Sequence, residues 1–305
     1  MSLVVVGSMA FDSVKTPFGE VKEELGGSAA YFSVAASFFT EVKLVSVVGE
    51  DFSPEYIEQF RKRGIDLEGL ERNIGKTFRW TGEYGDALNE AKTLKTELNV
   101  LERFHPKLPA SYCNTPYLFL GNIDPILQGN VLKQLSPKFA VCDTMNFWIQ
   151  GSREHLLETI SNVDIVIINE GEARLLSGER NLVRAAKTIL SFGPKSLVMK
   201  RGEYGALMFH HDQIFAAPAY PLETVIDPTG AGDSFAGGFV GFLARAQAPL
   251  NENLFRQAVI YGSVMASFCV EAFGLRRLWA LNVTDIQCRY AAFRDLTAYE
   301  DAELF

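Results

Sequence analysis

The chain has 305 residues, 48% of them hydrophobic, enough for one large domain that buries roughly three quarters of its unfolded surface. Its 37 acidic and 29 basic residues leave a formal charge of −8, and the basic ones are scattered without a long run, which argues against nucleic acid as a partner. Cys113, Cys142, Cys269 and Cys288 lie far apart with no CxxC pair, and His105, His155, His210 and His211 keep no ligand spacing with them, so neither a disulfide framework nor a zinc site is indicated.

In chain order, the N-terminus MSLVVVGSMAFD is apolar but short and lacks a basic leader, and no later segment approaches the ~20 apolar residues of a membrane span. A soluble, reduced, cytoplasmic protein with no membrane partner is expected. The first strand, LVVVGS (3–8), is followed by SVKTPFGEVKEEL (13–25), with PFGE as its turn, and by a second strand, KLVSVVG (43–49). Next comes the helix pattern SPEYIEQFRKRG, where Pro54 suits the first turn and Gly64 the stop. Residues 75–109 mix β-branched, aromatic and charged side chains, and with 13–25 they read as a small β appendage or lid. Four more unbroken apolar runs follow: YLFLG (117–121), KFAVCD (138–143), DIVIIN (164–169) and SLVMK (196–200). Runs without polar alternation are strands buried on both faces. With helices between them they form a βαβ series, hence a mostly parallel sheet covered on both sides. In DTMNFW (143–148), Phe147 and Trp148 are expected to pack in the core. No repeat or linker divides the chain, so residues 1–305 are expected to form a single domain with lid segments at about 13–25 and 75–109.

The stretch VIDPTGAGDSFAGGF (225–239) holds too many glycines for an ordinary strand or helix. It reads as a loop that becomes a helix N-terminus. There the N–H groups of Gly230, Ala231 and Gly232 and the helix dipole would receive an anion. A carboxylate at Asp233 opposes an anion if the site only binds, but it suits a base that takes a proton from an attacking hydroxyl while the N–H groups steady a transferring phosphoryl. The P-loop needs a lysine after its glycines, the dinucleotide fingerprint needs glycine where Phe235 stands, and the GxSxG elbow is absent.

DPTGAGDSFAGGF resembles the C-terminal signature of the ribokinase-like (PfkB) kinases, and GGSAAYFSVAASFF (26–39) with VVGEDF (47–52) resembles their N-terminal signature. Two matches in the right order, about 200 residues apart, carry the resemblance over essentially the whole chain. It implies a ribokinase-like α/β three-layer sandwich with a mostly parallel central sheet and a small β lid, and phosphate transfer from ATP to a hydroxymethyl group. Carried over residue by residue, Asp12 resembles the acidic residue that holds substrate hydroxyls, and Gly26 and Gly27 the diglycine that lets the acceptor approach the backbone. Asn169 and Glu172 match an NxxE element that organises Mg²⁺ and phosphates through water. Lys200 and Gly202 sit where the nucleotide loop begins, and Ser263 and Gly274 resemble positions near the adenine. Asp227 is a candidate for a monovalent cation such as K⁺, and the lid for a homodimer contact.

One departure bears on the acceptor. Family members often carry Asn where this chain has Tyr31, one turn into the diglycine helix and on the face turned to the acceptor. Tyr31 therefore either touches the substrate or folds into the core between Val34 and Ala35. The lid segment supplies Phe78, Arg79, Trp80 and Tyr84, a surface on which a base could stack. The expected function is an ATP-dependent kinase of a sugar or sugar-like metabolite. The alternatives are a nucleoside kinase and a non-catalytic nucleotide or sugar sensor on the same fold.

Overall fold

The computed structural model describes residues 1–89, 91–246 and 249–298. Among them the strands are β1 (Ser2–Val6), β2 (Ala10–Thr16), β3 (Gly19–Gly26), β4 (Glu41–Val48), β5 (Ile65–Arg72), β6 (Phe78–Tyr84), β7 (Ala91–Glu97), β8 (Tyr117–Leu120), β9 (Phe139–Cys142), β10 (Ile165–Asn169), β11 (Ser196–Lys200), β12 (Ala206–His210) and β13 (Gln213–Ala217). Nine of them form one sheet in the order β13-β12-β11-β10-β9-β8-β1-β4-β5, and the other four a smaller sheet, β3-β2-β6-β7. From β11 to β5 every pairing is parallel; β12 and β13 add an antiparallel edge.

The six unbroken apolar runs are β1, β4, β8, β9, β10 and β11, the centre of the large sheet. Alternation across the pleat divides their side chains between two cores. Leu3 and Val5 face the helices Ser28–Ala36, Ala231–Arg245 and Glu252–Cys269, whereas Val4 and Val6 face Pro125–Gln134, Arg153–Ser161, Glu170–Ser177 and Leu182–Leu190. This makes three layers, helices on both faces of a mostly parallel sheet. The helix Pro54–Lys62 begins as its sequence requires, with Ser53 accepting the Glu55 N–H and Pro54 in the first turn.

Three strands escape the apolar-run pattern. β5 is half-buried, and the hairpin β12–β13 turns through His211 at φ 49 without a glycine to announce it. The lid sheet is wider than expected at its first segment, where its strands span Ala10–Thr16 and Gly19–Gly26, and narrower at its second, where β7 ends at Glu97 and two short 3₁₀ turns follow, Asn99–Arg103 and Ala110–Tyr112. Phe147 is not a core residue. It is 63% exposed, and its neighbour Trp148 donates Nε1–H to Asn122 Oδ1 at 3.0 Å. No helix among the described residues is long and apolar enough to cross a membrane, and all four cysteines are free.

Three helices on one face of the large sheet are held together by closeness. A Cβ at Gly237 would lie 2.5 Å from Phe32 O, and one at Gly238 2.7 Å from Tyr261 O. The later glycines of AGDSFAGGF thus let the helix Ala231–Arg245 pack against Ser28–Ala36 on one side and Glu252–Cys269 on the other, while the earlier ones open its N-terminus.

Candidate active site

Ligands of open parallel sheets lie beyond the C-terminal ends of the strands. In this protein Ser8 follows β1, Asp143 follows β9, Asn169 ends β10 and Lys200 ends β11. The helix Ala231–Arg245 points its N-terminus at the same edge of the sheet. Its cap is Gly230, in the left-handed region at φ 74, where a side chain would also overlap the ring of Tyr31.

The local geometry alters one expectation. Ala231 N–H donates to Pro228 O at 3.1 Å as part of the turn, so it is not available to an anion, while Gly230 and Gly232 N–H have no protein acceptor among the described residues. The amides left open at this helix end are therefore those of Gly230 and Gly232, with Asp233 in the first helical turn beside them. Burial and the charge of Asp143 push the Asp233 carboxyl up to about 7, against the opposing pull of Lys200.

Asp12 and the diglycine lie together. Asp12 is buried on β2, and its Oδ2 takes the space that a Cβ at Gly26 would need. Gly27, at φ 93, caps the helix Ser28–Ala36 and could not carry a side chain past Ser8 O. Burial, then the charge of Asp227, push the Asp12 carboxyl up to about 8, with the Gly27 amide pulling it down and Asp233 adding to the rise. A carboxyl of this kind holds its proton near neutrality and can donate to an acceptor hydroxyl as well as accept from one.

Asp227 ties the glycine loop before the helix Ala231–Arg245 to the turn after the helix Glu252–Cys269. Its carboxylate accepts Thr229 N–H at 2.9 Å and Gly274 N–H at 3.3 Å. Gly274 accordingly faces Asp227 and the lid residue Glu24. Ser263 is buried on Glu252–Cys269. Asn169 and Glu172 form a reciprocal capping box: Glu172 N–H donates to Asn169 Oδ1 at 2.8 Å and Asn169 N–H to Glu172 Oε2 at 2.7 Å. Burial first, then the charge of Asp143, raise the Glu172 carboxyl above its ordinary range.

Asp143 is the residue that sequence reasoning missed. Buried at the end of β9, it accepts Lys200 Nζ at 3.1 Å. Its signal was there to read, an acid at the C-terminal end of the buried run KFAVCD. Burial alone would lower the Lys200 pKa, but Asp143, Glu172 and Asp233 together raise it.

The lid closes the cleft from above. Phe78, Trp80, Gly82 and Tyr84 alternate onto one face of β6. On that face the Trp80 indole lies across Gly82, where a side chain would overlap it, and Thr229 Oγ1 bonds Tyr84 Oη at 3.3 Å. Arg79 belongs to the opposite face, against the expectation that it adds to the stacking surface. It pairs with Asp51 at 2.8 Å and Glu23 at 2.7 Å, above the ring of Phe11. At the hairpin tip, Asn89 Nδ2 donates to Glu203 Oε1 at 3.1 Å, next to Gly202.

The chain is 31% identical over 260 residues to the cytidine kinase of Thermococcus kodakarensis, a match that covers 83% of this chain and 91% of that one. The model of the pfkB family carbohydrate kinases matches residues 133–280. The chain belongs to the pfkB family of kinases. Its fold agrees with solved members at lower identity: the Methanocaldococcus jannaschii nucleoside kinase (TM-score 0.76, 21% identical, 95% of this chain and 98% of that one) and the Thermotoga maritima ribokinase (TM-score 0.75, 22% identical, 95% and 99%). This pfkB kinase thus has the ribokinase-like fold, a mostly parallel nine-stranded sheet with a four-stranded lid.

Kinases of the family use ATP and a divalent metal. The donors at the floor of this cleft are carboxylates, the hard oxygen ligands that Mg²⁺ takes, but among the described residues no group of three acids or histidines is close enough to cage an ion. That arrangement fits an ion that keeps several of its waters, and Asp143 and Glu172 are the carboxylates that would hold it.

Proposed function

We propose that this kinase phosphorylates the hydroxymethyl group of a nucleoside, with MgATP as donor. The sequence by itself puts a sugar first and a nucleoside second. The observation that reverses the order is the lid face, where the Trp80 indole lies across Gly82 and Tyr84 reaches Thr229 beside Asp227 and Asp12. A free sugar needs hydroxyl partners, whereas an indole held open over the cleft offers a base a stacking surface worth about 1–3 kcal/mol. The similarity to a cytidine kinase supports the same reading.

In this mechanism Asp12 holds the ribose hydroxyls, and the diglycine, bare of side chains, lets them approach it. Asp233 removes the proton of the hydroxymethyl group as its oxygen attacks, and Gly230 and Gly232 N–H receive charge on the transferring phosphoryl. Bound magnesium neutralises phosphate charge. Contacts of the lid with Thr229 and Glu203 exclude water, which would otherwise compete as acceptor.

The test is ADP release with cytidine, uridine, adenosine, inosine, ribose and fructose. At least one nucleoside should exceed both sugars in kcat/KM by about 100-fold or more, a difference of ~2.7 kcal/mol in transition-state binding. A free sugar that matched the best nucleoside would return the acceptor to the sugar class.

A further inference from the structure

The Lys200 side chain does not extend into solvent from the end of β11. It runs along the cleft floor, its Nζ 3.1 Å from Asp143 Oδ2 and 2.8 Å from where a Cβ at Gly232 would stand. The ammonium therefore rests on the first turn of the helix Ala231–Arg245, beside the two open amides. A cation at a helix N-terminus has the wrong sign for the dipole. Here the carboxylates of Asp143, Glu172 and Asp233 hold it.

The two partners of the pair differ in freedom. Asp143 is fixed on every side: its Oδ1 accepts Thr144 N–H at 2.7 Å, its N–H donates to Leu120 O at 2.9 Å, and its carbonyl accepts Gln128 Nε2 at 3.0 Å. Lys200 is a four-carbon stem with a rotatable charge whose single hydrogen-bonded partner among the described residues is that carboxylate. Charge balance points the same way. Three carboxylates around two amides would repel a polyphosphate unless a mobile cation stood between them.

We infer that Lys200 meets the transferring phosphoryl, and that Asp143 is a positioning residue that stations its ammonium on the first turn of the catalytic helix until the terminal phosphate of a nucleoside triphosphate arrives. The inference rests on the phosphoryl-transfer reading of Asp233 and the two amides. A pair that served only to join the ends of β9 and β11 would be a buried salt bridge, which an apolar side chain of similar volume often replaces without loss.

The experiment compares calorimetric Kd values for Mg-ADP and for a non-hydrolysable Mg-ATP analogue in the wild type, Lys200→Met, Lys200→Arg, Asp143→Asn and the Lys200→Met/Asp143→Asn double variant, together with kcat. Lys200→Met should lose about 10-fold or more of the preference for triphosphate over diphosphate, and about 100-fold in kcat, with acceptor KM changed by less than about threefold. Lys200→Arg, which keeps the charge, should restore part of both. Asp143→Asn should fall between, and the double variant should be no worse than Lys200→Met, because a station without its lysine has nothing left to do. ADP affinity near that of the wild type certifies that each variant is folded; if Lys200→Met fails this control, Lys200→Arg and Asp143→Asn carry the comparison. Unchanged triphosphate preference and kcat in the folded variants would overturn the inference. The nucleotide titrations need no acceptor, so a wild type inactive on every nucleoside would sink the acceptor reading and leave this comparison standing.

Discussion

The ring of Tyr31 fills the space that a side chain at residue 230 would need, so the N-terminal end of the helix Ala231–Arg245 rests on the first turn of the helix Ser28–Ala36. Tyr31 is 1% exposed, and burial with the neighbouring Cys269, Asp12 and Asp227 keeps its hydroxyl protonated far above neutrality. Its side chain touches the helix Ala231–Arg245 instead of settling only among its own helix's neighbours. In the proposed mechanism this contact would join the acceptor half of the cleft to the phosphoryl half.

From this contact we expect Gly230→Ala to lower kcat by about 100-fold, since the new side chain meets both a left-handed φ and the ring. Tyr31→Phe keeps the ring and should stay close to the wild type. Tyr31→Ala should cost about 3–5 kcal/mol of stability and lower kcat with it. Thermal melts and kcat for the three variants decide the matter: a Tyr31→Ala protein with normal Tm and kcat would show that the ring supports nothing.

Asp233 gives a prediction with opposite signs for rate and stability. Asp233→Asn should reduce kcat by about 10²- to 10⁴-fold with ATP affinity nearly unchanged. In the wild type the base works only when ionised, so kcat/KM should climb with pH through about 7 instead of levelling off near 4. A folded-state pKa above the unfolded value of 3.8 means that the native protein binds more protons than the unfolded chain between those values. The contribution of Asp233 to stability therefore falls as pH rises from about 4 to about 7. At pH 8 the inactive Asp233→Asn protein should melt no lower than the wild type. A flat pH–rate profile from 5.5 to 8 would remove Asp233 from the role of base.

Glu172 has two candidate roles that one pair of variants separates. Glutamine can still accept the Asn169 N–H and complete the capping box, so Glu172→Gln should leave Tm within a degree or two, while Glu172→Ala should cost about 1 kcal/mol. If the carboxylate also organises Mg²⁺ through water, both variants should need more Mg²⁺ for half-maximal rate, with little change in acceptor KM. A normal Mg²⁺ titration for Glu172→Gln would leave Glu172 as a helix cap alone.

How much of this was legible follows from range. The six central strands could be read because a strand buried on both faces must be apolar throughout, and the helix starts at Ser53 and Gly27 because capping chemistry lies within a few residues. The loop that opens the helix Ala231–Arg245 was legible for the same reason: Gly230, Gly232 and Asp233 lie within one turn of chain. β5 was missed because its outer face is solvated, and the β12–β13 hairpin because His211 supplies the positive φ that a glycine would have advertised.

The rest depends on where distant strands end. Asp143 and Lys200 are 57 residues apart, and only the placement of β10 between β9 and β11 brings their side chains to one spot. Ala231 loses its N–H to Pro228 through the exact turn the loop adopts, and Arg79 leaves the acceptor for Asp51 and Glu23 because alternation along β6 assigns it the other face. The sequence by itself determined the family and the layers of the fold, and it singled out Asp233 as the candidate base, since each is written in local patterns of burial, turn and charge. The tertiary structure decided which amides remain open, which cation stands beside them and which aromatic face the lid offers, because direction and distance across the sheet are not properties of any short stretch of chain.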